Sequence, residues 1–464
     1  MTIERQYSRT PRNQSYGTAI DFGTRALVAL TLTATLSAVG CATPPGTSDD
    51  DDTTPHADGG PPAPSCNGSV ETAAQPFASH AFPYAAGTIL PSNHSQAELD
   101  EATQTFYDVW KNRYLREGAP CDEGQVFVAT NMDDSLTVSE AHGYGMVLLA
   151  FMAGHDTDAH RLFDGAYKFF RAHPTAVSAD LLSWSQDKTT CQDNQGQDSA
   201  TDGDLDVAYA LLLADKQWGS GGTINYRAEA IKVIAAIRGG DVDATSHWIL
   251  LGNWVDRSDS HYKSTRTSDF MPGHLASFGK ASGDGEWQEL LDAEYALVDK
   301  MQTEYAPDTG LLPDFITDPQ GSPAPAPAEF LESANDGRYG YNACRDPWRI
   351  GVHYLTSGNA TSKTVLERLN TWIIASTGGD ARSILPGYNL DGSMSAGNYF
   401  AHAFVSPFGV AAMTDASHQD WLNAVWDATT EEDNSNYYDD SLKLLSMIAM
   451  SGNWWAPEAA PCPQ

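Results

Sequence analysis

Apolar residues recur at helical spacing along most of this chain. Ser95 and Glu98 form a capping-box pattern, and Leu99 and Trp110 follow on one predicted helix face. Further helical runs are predicted at 140–152, 159–171, 204–218, 226–237, 287–305, 363–375, 396–413, 419–428 and 441–450. Strand signals are few and short, and no second linker interrupts the runs. We therefore predict a single all-α domain over residues 76–464.

The first 40 residues have the pattern of an export signal. Four arginines precede an apolar run at 26–40 that is short for a membrane span. The run ends in Leu-Ser-Ala-Val-Gly-Cys, which resembles a bacterial lipoprotein processing site with Cys41 as the lipidated residue; ordinary signal cleavage nearby is the alternative. Residues 41–75 are rich in Pro, Gly, Asp, Thr and Ser and are predicted to be a linker. We expect an exported protein, either anchored at the cell envelope through Cys41 or secreted.

The chain is strongly acidic, with a formal net charge of −34 from 61 acidic and 27 basic residues. Such a charge repels nucleic acid and anionic membrane surfaces, so neither is an expected partner. A polycationic substrate would be attracted, although the same acidity could serve only to keep an exported protein soluble.

Two acidic positions each open an apolar helical run: Glu140, directly after Ser139, and Asp202. Glycoside hydrolysis needs one protonated carboxyl to donate to the leaving oxygen and one ionised carboxyl to activate water or attack carbon. The dipole of the predicted helix favours the ionised form of Glu140. A general acid at this position therefore needs negative charge nearby, and Asp202 is the candidate. These features predict a polysaccharide hydrolase driven by carboxylates.

Alternating aspartates at 202, 204 and 206 also resemble the start of a calcium loop. An EF-hand would need glycine and glutamate where this chain has Val207 and Leu213, so we predict no metal here and expect Asp202 to point into a cleft. The sequence contains no Cys-x-x-Cys pair, no histidines at same-face helical spacing and no Gly-x-Ser-x-Gly elbow. No cofactor is predicted.

Several ordered motifs resemble the signature of glycoside hydrolase family 8. They are Ser-Glu at 139–140 with Gly-Tyr-Gly-Met at 143–146, Leu-Leu-Ser-Trp at 181–184, residues 200–214 with Gln-Trp-Gly at 217–219, Tyr-Asn-Ala-Cys-Arg at 341–345 with Pro-Trp-Arg-Ile at 347–350, and residues 407–413 and 444–455. The resemblance spans nearly the whole predicted domain. It implies an (α/α)6 barrel with an open substrate cleft that acts by inversion on internal β-1,4 linkages.

The resemblance also implies roles for single residues. The family's general acid falls on Glu140, its substrate-positioning carboxylate on Asp202 and its sugar-stacking tryptophan on Trp184. Some members carry an aspartate base where this chain has Asn342, and asparagine cannot take a proton from water at neutral pH. In another branch, also with asparagine at this point, the base is a glutamate in an inserted loop upstream.

The matching upstream segment here is Glu-Phe-Leu-Glu-Ser, and we choose Glu332 as the base. Glu329 is the nearest competitor and Asp336 the next. The alternative is a solvated surface loop whose charges have no catalytic role. Asn342 would hold water or a sugar hydroxyl, and Arg345 would orient carboxylates through its planar fork.

Aromatic rings stack on the apolar faces of sugars, so an endo-acting cleft is expected to expose several of them. Six aromatic residues in predicted loops or helix ends could line subsites: Trp184, Trp248, Trp254, Phe270, Tyr341 and Tyr388. For any one of them taken alone, a core position is the better expectation. We assign substrate binding to Trp184, Trp254 and Tyr341, together with Asn342 and Arg345.

Apart from the predicted lipidation site, five cysteines remain, so at least one thiol is free if the others pair. Cys66 and Cys462 flank the two ends of the domain and could be bridged. Cys121 and Cys191 are predicted in loops beside the cleft. Cys344 is predicted to be buried and free beneath the site.

The substrate is less constrained than the reaction. We rank a β-glucan of cellulose or mixed-linkage type first, with a chitosanase on the same scaffold as the alternative. A second alternative is a surface lipoprotein that binds glycans without cleaving them, which the presence of Glu140 and Asp202 disfavours. We expect a monomer.

Overall fold

The computed structural model describes residues 65–464, apart from residues 133, 134, 244, 246 and 434. These residues contain twelve α-helices. In chain order the helices are α1 Gln96–Tyr114, α2 Ser139–Phe151, α3 Ala159–Ala172, α4 Thr201–Trp218, α5 Tyr226–Gly240, α6 Pro272–Ser282, α7 Glu286–Lys300, α8 Asp346–Ser357, α9 Ala360–Thr377, α10 His402–Ala412, α11 Gln419–Glu431 and α12 Tyr437–Met450. The predictions at 1–40 and Cys41, and most of the predicted linker at 41–75, lie outside the described residues.

The helices alternate between two environments. Every residue of α2, α4, α10 and α12 is buried, and α6 and α8 are buried along most of their length. The intervening helices bury one face only, as amphipathic surface helices do. Each even-numbered helix contacts the next and α12 contacts α2, which closes an inner ring, while each odd-numbered helix packs outside it. The predicted (α/α)6 barrel is confirmed.

Most of the predicted helical runs correspond to observed helices, with two kinds of difference. The capping box that starts α1 is present, since Glu98 Oε2 accepts the Ser95 N–H at 2.7 Å and Ser95 Oγ accepts the Glu98 N–H at 3.4 Å. The run predicted at 396–413 starts too early, because α10 begins at His402 after a loop. The prediction omitted α6 and α8, which both have a proline in the first turn, a signal that a loop shares.

In the part of the chain that the structure describes, seven short strands stiffen the connections between helices. They are β1 Leu115–Glu117 paired with β2 Val126–Val128, β3 Ser135–Val138 paired with β4 Ser185–Asp187, and the antiparallel sheet of β5 Ser264–Arg266, β6 Phe315–Thr317 and β7 Ala324–Pro325. β3 runs directly into α2, and β5 is followed by the turn that leads into α6. These pairings hold the segments that enter the inner helices at their N-terminal ends.

Two disulfides are present in the described part of the chain. Cys66 pairs with Cys462, as the sequence suggested, and Cys121 pairs with Cys191. The prediction that Cys344 is buried with a free thiol is confirmed. Of the helices in residues 65–464 that the structure describes, none has the length and apolar character needed to cross a membrane.

Candidate active site

The N-terminal ends of α2 and α4 meet because a glycine allows the two helices to approach closely. A Cβ atom on Gly203 of α4 would lie 2.5 Å from the Cβ of Ser139 on α2, a contact too short for any larger residue. Glu140 is the second residue of α2, and Asp202 is the second residue of α4. Both carboxylates bind the same guanidinium nitrogen, so the close packing has brought them together.

That nitrogen belongs to Arg345, which ends a single 3-10 turn, Ala343–Arg345, leading directly into α8. Arg345 Nη1 donates to Glu140 Oε2 at 2.7 Å and to Asp202 Oδ2 at 2.9 Å. The arginine is buried, so these charges interact in a medium less polar than water, where their attraction is strong. Arg345 therefore contacts the carboxylates themselves.

The other terminal nitrogen of this guanidinium connects to the predicted base through an amide. Arg345 Nη2 donates to Asn342 Oδ1 at 2.9 Å, and Asn342 Nδ2 donates to Glu332 Oε2 at 2.9 Å. Glu140, Asp202 and Glu332, chosen from distant parts of the sequence, thus belong to one hydrogen-bonded group.

The group has further partners to which the sequence analysis assigned no role in the site. Tyr437, the first residue of α12, donates its hydroxyl to Glu140 Oε1 at 2.9 Å. Arg266 Nη2 lies 3.1 Å from Asp202 Oδ1 and 3.0 Å from Asp269 Oδ1. Nothing in the local sequence around these residues signals a site, because their contacts depend on closure of the inner ring. The resulting mouth cluster comprises Glu140, Asp202, Arg266, Asp269, Glu332, Asn342, Arg345 and Tyr437.

The mouth cluster contains more carboxyl groups than guanidinium groups. Its four carboxyls, from Glu140, Asp202, Asp269 and Glu332, meet the two cations Arg266 and Arg345. Burial raises the pKa of Asp269 to about 7, although the charge of Arg266 opposes that rise. A surplus of buried carboxyls favours retention of a proton within the cluster. Within the described residues, no group of three or more His, Cys, Asp or Glu side chains is arranged to hold a metal ion.

Exposure divides the four carboxyls into two pairs. The side chains of Glu332 and Glu140 are 24% and 9% exposed, whereas those of Asp202 and Asp269 are 1% and 0% exposed. Glu332 and Glu140 are therefore the more accessible pair. Asp202, which the sequence led us to expect in the cleft, instead lies buried between the guanidinium groups of Arg266 and Arg345.

The two competing candidates for the base are placed differently from Glu332. The Glu329 side chain is exposed. Asp336 is buried and accepts hydrogen bonds from the backbone N–H groups of Leu331, Glu332 and Ser333. Glu332 is the acid of this loop that the structure bonds to Asn342.

Asp314 anchors the turn that carries Asn342. Its Oδ1 accepts the backbone N–H groups of Gly340, Asn342 and Ala343 at 3.0, 3.1 and 2.7 Å. Burial raises the pKa of Asp314 to about 8, although the backbone donors partly oppose the rise. In these contacts the Asp314 carboxyl binds backbone N–H groups and no guanidinium, and in this way it holds the turn.

The three aromatic residues assigned to substrate binding are all partly exposed. Trp184 lies at the start of α2, because its carbonyl accepts the Ser139 N–H at 2.8 Å. Tyr341 directly precedes Asn342 in the sequence, and its hydroxyl lies 2.8 Å from that of Tyr399. Trp254 packs against the hydrophobic cluster beneath the Glu332 loop.

The other three aromatic residues considered for subsites are buried. They are Trp248, Phe270 and Tyr388. Trp248, for example, packs in a hydrophobic cluster with Phe315 and Ala326. These three therefore occupy the core position that the sequence analysis favoured for any single aromatic residue.

The chain matches a family model described as glycosyl hydrolases family 8 over residues 89–452. It is 44% identical over 382 residues to a β-glucanase of Niallia circulans, covering 82% of this chain and 91% of that protein. It is 38% identical over 382 residues to an endoglucanase of Bacillus sp. (strain KSM-330), covering 80% of each. The apo structure of a β-1,3-1,4-glucanase from Paenibacillus sp. X4 has a TM-score of 0.79 to this one at 42% identity, covering 82% of this chain and 99% of that chain.

The range matched by the family model includes all twelve helices and every residue of the mouth cluster. Fold and sequence therefore agree with the relatives. The chain belongs to glycosyl hydrolases family 8 and is a glycoside hydrolase.

Proposed function

We propose that the protein cleaves internal β-1,4 linkages of a β-glucan of cellulose or mixed-linkage type, with inversion at the anomeric carbon. The observation that carries the proposal is that the two more accessible carboxyls of the mouth cluster, Glu140 and Glu332, come from different segments and are joined through Arg345 and Asn342. The glucanase and endoglucanase activities in the names of the relatives support a glucan as substrate.

Glu140 is the proposed general acid, which gives its proton to the glycosidic oxygen as the bond to the leaving sugar breaks. Arg345 and Tyr437 hold its carboxyl in place. The dipole of α2 and the charge of Arg345 favour a carboxylate, whereas the surplus of carboxyls in the mouth cluster favours a retained proton. Bound sugar strengthens the second effect by excluding water. Asp202 contributes negative charge and orients Arg345.

Glu332 is the proposed general base, which takes a proton from the water that attacks the anomeric carbon. Asn342 stands where some family members carry an aspartate, and its amide is bonded to Glu332. Inverting enzymes hold their two carboxyls roughly 6.5–9.5 Å apart so that a water molecule fits between them. The interposed side chains of Arg345 and Asn342 support such a separation. This assignment places the chain in the asparagine-bearing branch of the family.

Release of reducing ends from mixed-linkage β-glucan tests the activity. We expect wild-type protein to lower the viscosity of the polymer early in the reaction, as internal cleavage does. Glu140→Gln and Glu332→Gln are each expected to lower the rate about 10²- to 10⁴-fold while polymer binding persists. A near-normal rate in either variant would remove that residue from its role. Binding of glucan by the wild type without cleavage would contradict the proposed substrate.

Chitosan is the second substrate to compare, because the net charge of −34 attracts a polycation. We expect faster cleavage of glucan than of chitosan, since the mouth cluster compensates much of its negative charge with Arg266 and Arg345. Faster cleavage of chitosan would reverse the ranking without changing the roles of Glu140 and Glu332.

We infer from residues 1–40 that the protein is exported, with the linker 41–75 joining a signal or anchor segment to the catalytic domain. Labelling of cells with a radioactive fatty acid tests the anchor. Incorporation that is lost in Cys41→Ala would support lipidation, and a mature protein that begins after Cys41 would contradict it.

A further inference from the structure

The loop that carries Glu332 is organised around a single buried carboxylate. Asp336 Oδ2 accepts the backbone N–H groups of Leu331 and Glu332 at 2.6 and 2.9 Å. Asp336 Oδ1 accepts the N–H of Ser333 at 2.8 Å. Three successive N–H groups therefore converge on one side chain.

Hydrogen bonds to one fixed carboxylate hold this stretch of backbone in a single conformation, whereas hydrogen bonds to mobile water molecules would not. A charge-assisted hydrogen bond is stronger than a neutral one, and Asp336 makes three of them to consecutive residues. Both of its oxygens accept these donors, so Asp336 acts as the centre of a turn. An asparagine at this position would present an amide group to at least one of the donors, because its NH2 cannot accept a hydrogen bond.

Contacts on either side of the turn complete the support of Glu332. Phe330 and Leu331 pack onto the hydrophobic cluster, and the carbonyl of Phe330 lies 3.3 Å from His261 Nε2. The Glu332 side chain then reaches Asn342 Nδ2 at 2.9 Å, with Arg266 Nη1 at 3.9 Å from its other oxygen. The direction of the Glu332 side chain therefore depends on the backbone that Asp336 holds.

We propose that Asp336 is a positioning residue that fixes the backbone of residues 331–333 and so holds the Glu332 carboxylate at the amide of Asn342. The inference rests on the proposed function, because it assigns Asp336 a role through the proposed base. Asp336 itself takes no proton from water. Its carboxylate is occupied by the backbone of the loop. This argues against the role of base, for which the sequence left Asp336 as a candidate.

Asp336→Asn tests the proposal by removing the acceptor from one side of the turn with little change in size. We expect kcat on β-glucan to fall on the order of a hundredfold, because a displacement of about 1 Å is enough for such a loss. KM is expected to stay close to the wild-type value, whereas the thermal unfolding midpoint is expected to fall, because a buried N–H group loses its acceptor. Glu329→Gln is the matched control, since it removes an exposed charge from the same loop and is expected to keep wild-type kcat.

The double variant Asp336→Asn/Glu332→Gln separates a positioning role from a general structural one. If Asp336 acts through Glu332, the double variant is no slower than Glu332→Gln alone, whereas independent effects would multiply. Multiplied effects, or wild-type kcat in Asp336→Asn while Glu332→Gln is inactive, would overturn the proposal. Wild-type kcat in Glu332→Gln would instead refute the proposed base.

Ser333→Ala provides a second variant in case Asp336→Asn does not fold. It removes the hydroxyl that donates to Asp336 Oδ1 at 3.3 Å and accepts the Asn335 N–H at 3.0 Å, but keeps the carboxylate. We expect a two- to tenfold lower kcat, roughly the worth of one hydrogen bond, and no further loss in the Glu332→Gln background. An unchanged kcat in Ser333→Ala would count against the proposal.

Discussion

Two arginine–aspartate pairs link α4 to the α8 segment one helical turn apart, and they are built differently. In the deeper pair, Arg349 donates from both terminal nitrogens to the two oxygens of Asp206, at 2.8 and 2.6 Å. His274 Nε2 lies 2.9 Å from the same carboxylate. In the mouth cluster, Arg345 divides its donors among Glu140, Asp202, Asn342 and Ser268.

The difference shows how the same residue types can serve stability or chemistry. Burial alone would raise the pKa of Asp206, but the charge of Arg349 and the hydrogen bonds from His274 and Arg349 hold it below its ordinary value. The deeper pair is therefore a closed unit of one carboxylate and one guanidinium. The mouth cluster holds surplus carboxyls around its cations, so its protonation can change during a reaction.

Arg349→Met breaks the deeper pair and is expected to have the largest effect. It leaves Asp206 in the barrel interior without its guanidinium partner, which costs about 3–5 kcal/mol of unfolding free energy. Guanidinium chloride unfolding measures the loss. Arg349→Lys is the control that keeps the charge but not the fork, and it is expected to lose less stability. Wild-type stability in Arg349→Met would contradict a structural role for the pair.

Arg345→Lys breaks the mouth cluster while keeping its charge. A lysine cannot donate to Glu140, Asp202 and Asn342 from one planar fork, so we expect kcat to fall on the order of a hundredfold. Steady-state kinetics on β-glucan measure the change, and circular dichroism checks the fold. Wild-type kcat in Arg345→Lys would contradict the catalytic role that distinguishes the mouth cluster from the deeper pair.

Asp314 sharpens the comparison, because it is a buried aspartate held by backbone donors. Its pKa is raised to about 8 by burial, so its contribution to stability is present below the ordinary pKa of an aspartate and is lost as pH rises toward 8. We expect this group to lower the unfolding free energy by about 1.4 kcal/mol per pH unit between roughly pH 5 and 7. Asp314→Asn keeps an oxygen for the three donors and is expected to flatten that slope. An unchanged slope in urea unfolding would contradict the assignment.

The outer helices could be predicted from the sequence because one face meets the core and the other meets water. In α1 the apolar spacing and the Ser95–Glu98 capping box both point to the same start. The inner helices α6 and α8 were not predicted. Both have a proline in the first turn, and proline is equally common in loops.

The acids of the site could be predicted only as separate candidates. Glu140 and Asp202 open helical runs, and the family resemblance pointed to Glu332 upstream of Asn342. The partners Arg266 and Tyr437 had no local signal, because they reach the cluster only when β5 and α12 are placed beside α2 and α4. Ring closure, which no local pattern encodes, decides which cation meets which carboxylate.

The most direct test compares Asp202→Asn with Asp206→Asn, two equal changes one turn apart on α4. Asp202→Asn leaves Glu140 and Asp269 to compensate Arg345 and Arg266, so we expect kcat to fall on the order of a hundredfold with a small loss of stability.

Asp206→Asn deprives Arg349 of its carboxylate, so we expect a loss of about 3–5 kcal/mol in unfolding free energy at pH 7, with kcat of the folded fraction retained. Kinetics and unfolding would be measured on both purified variants. Separate losses, in kcat for one variant and in stability for the other, are the predicted result. Equal losses of kcat in both variants, or full kcat in Asp202→Asn, would contradict the division between a catalytic mouth and a structural interior.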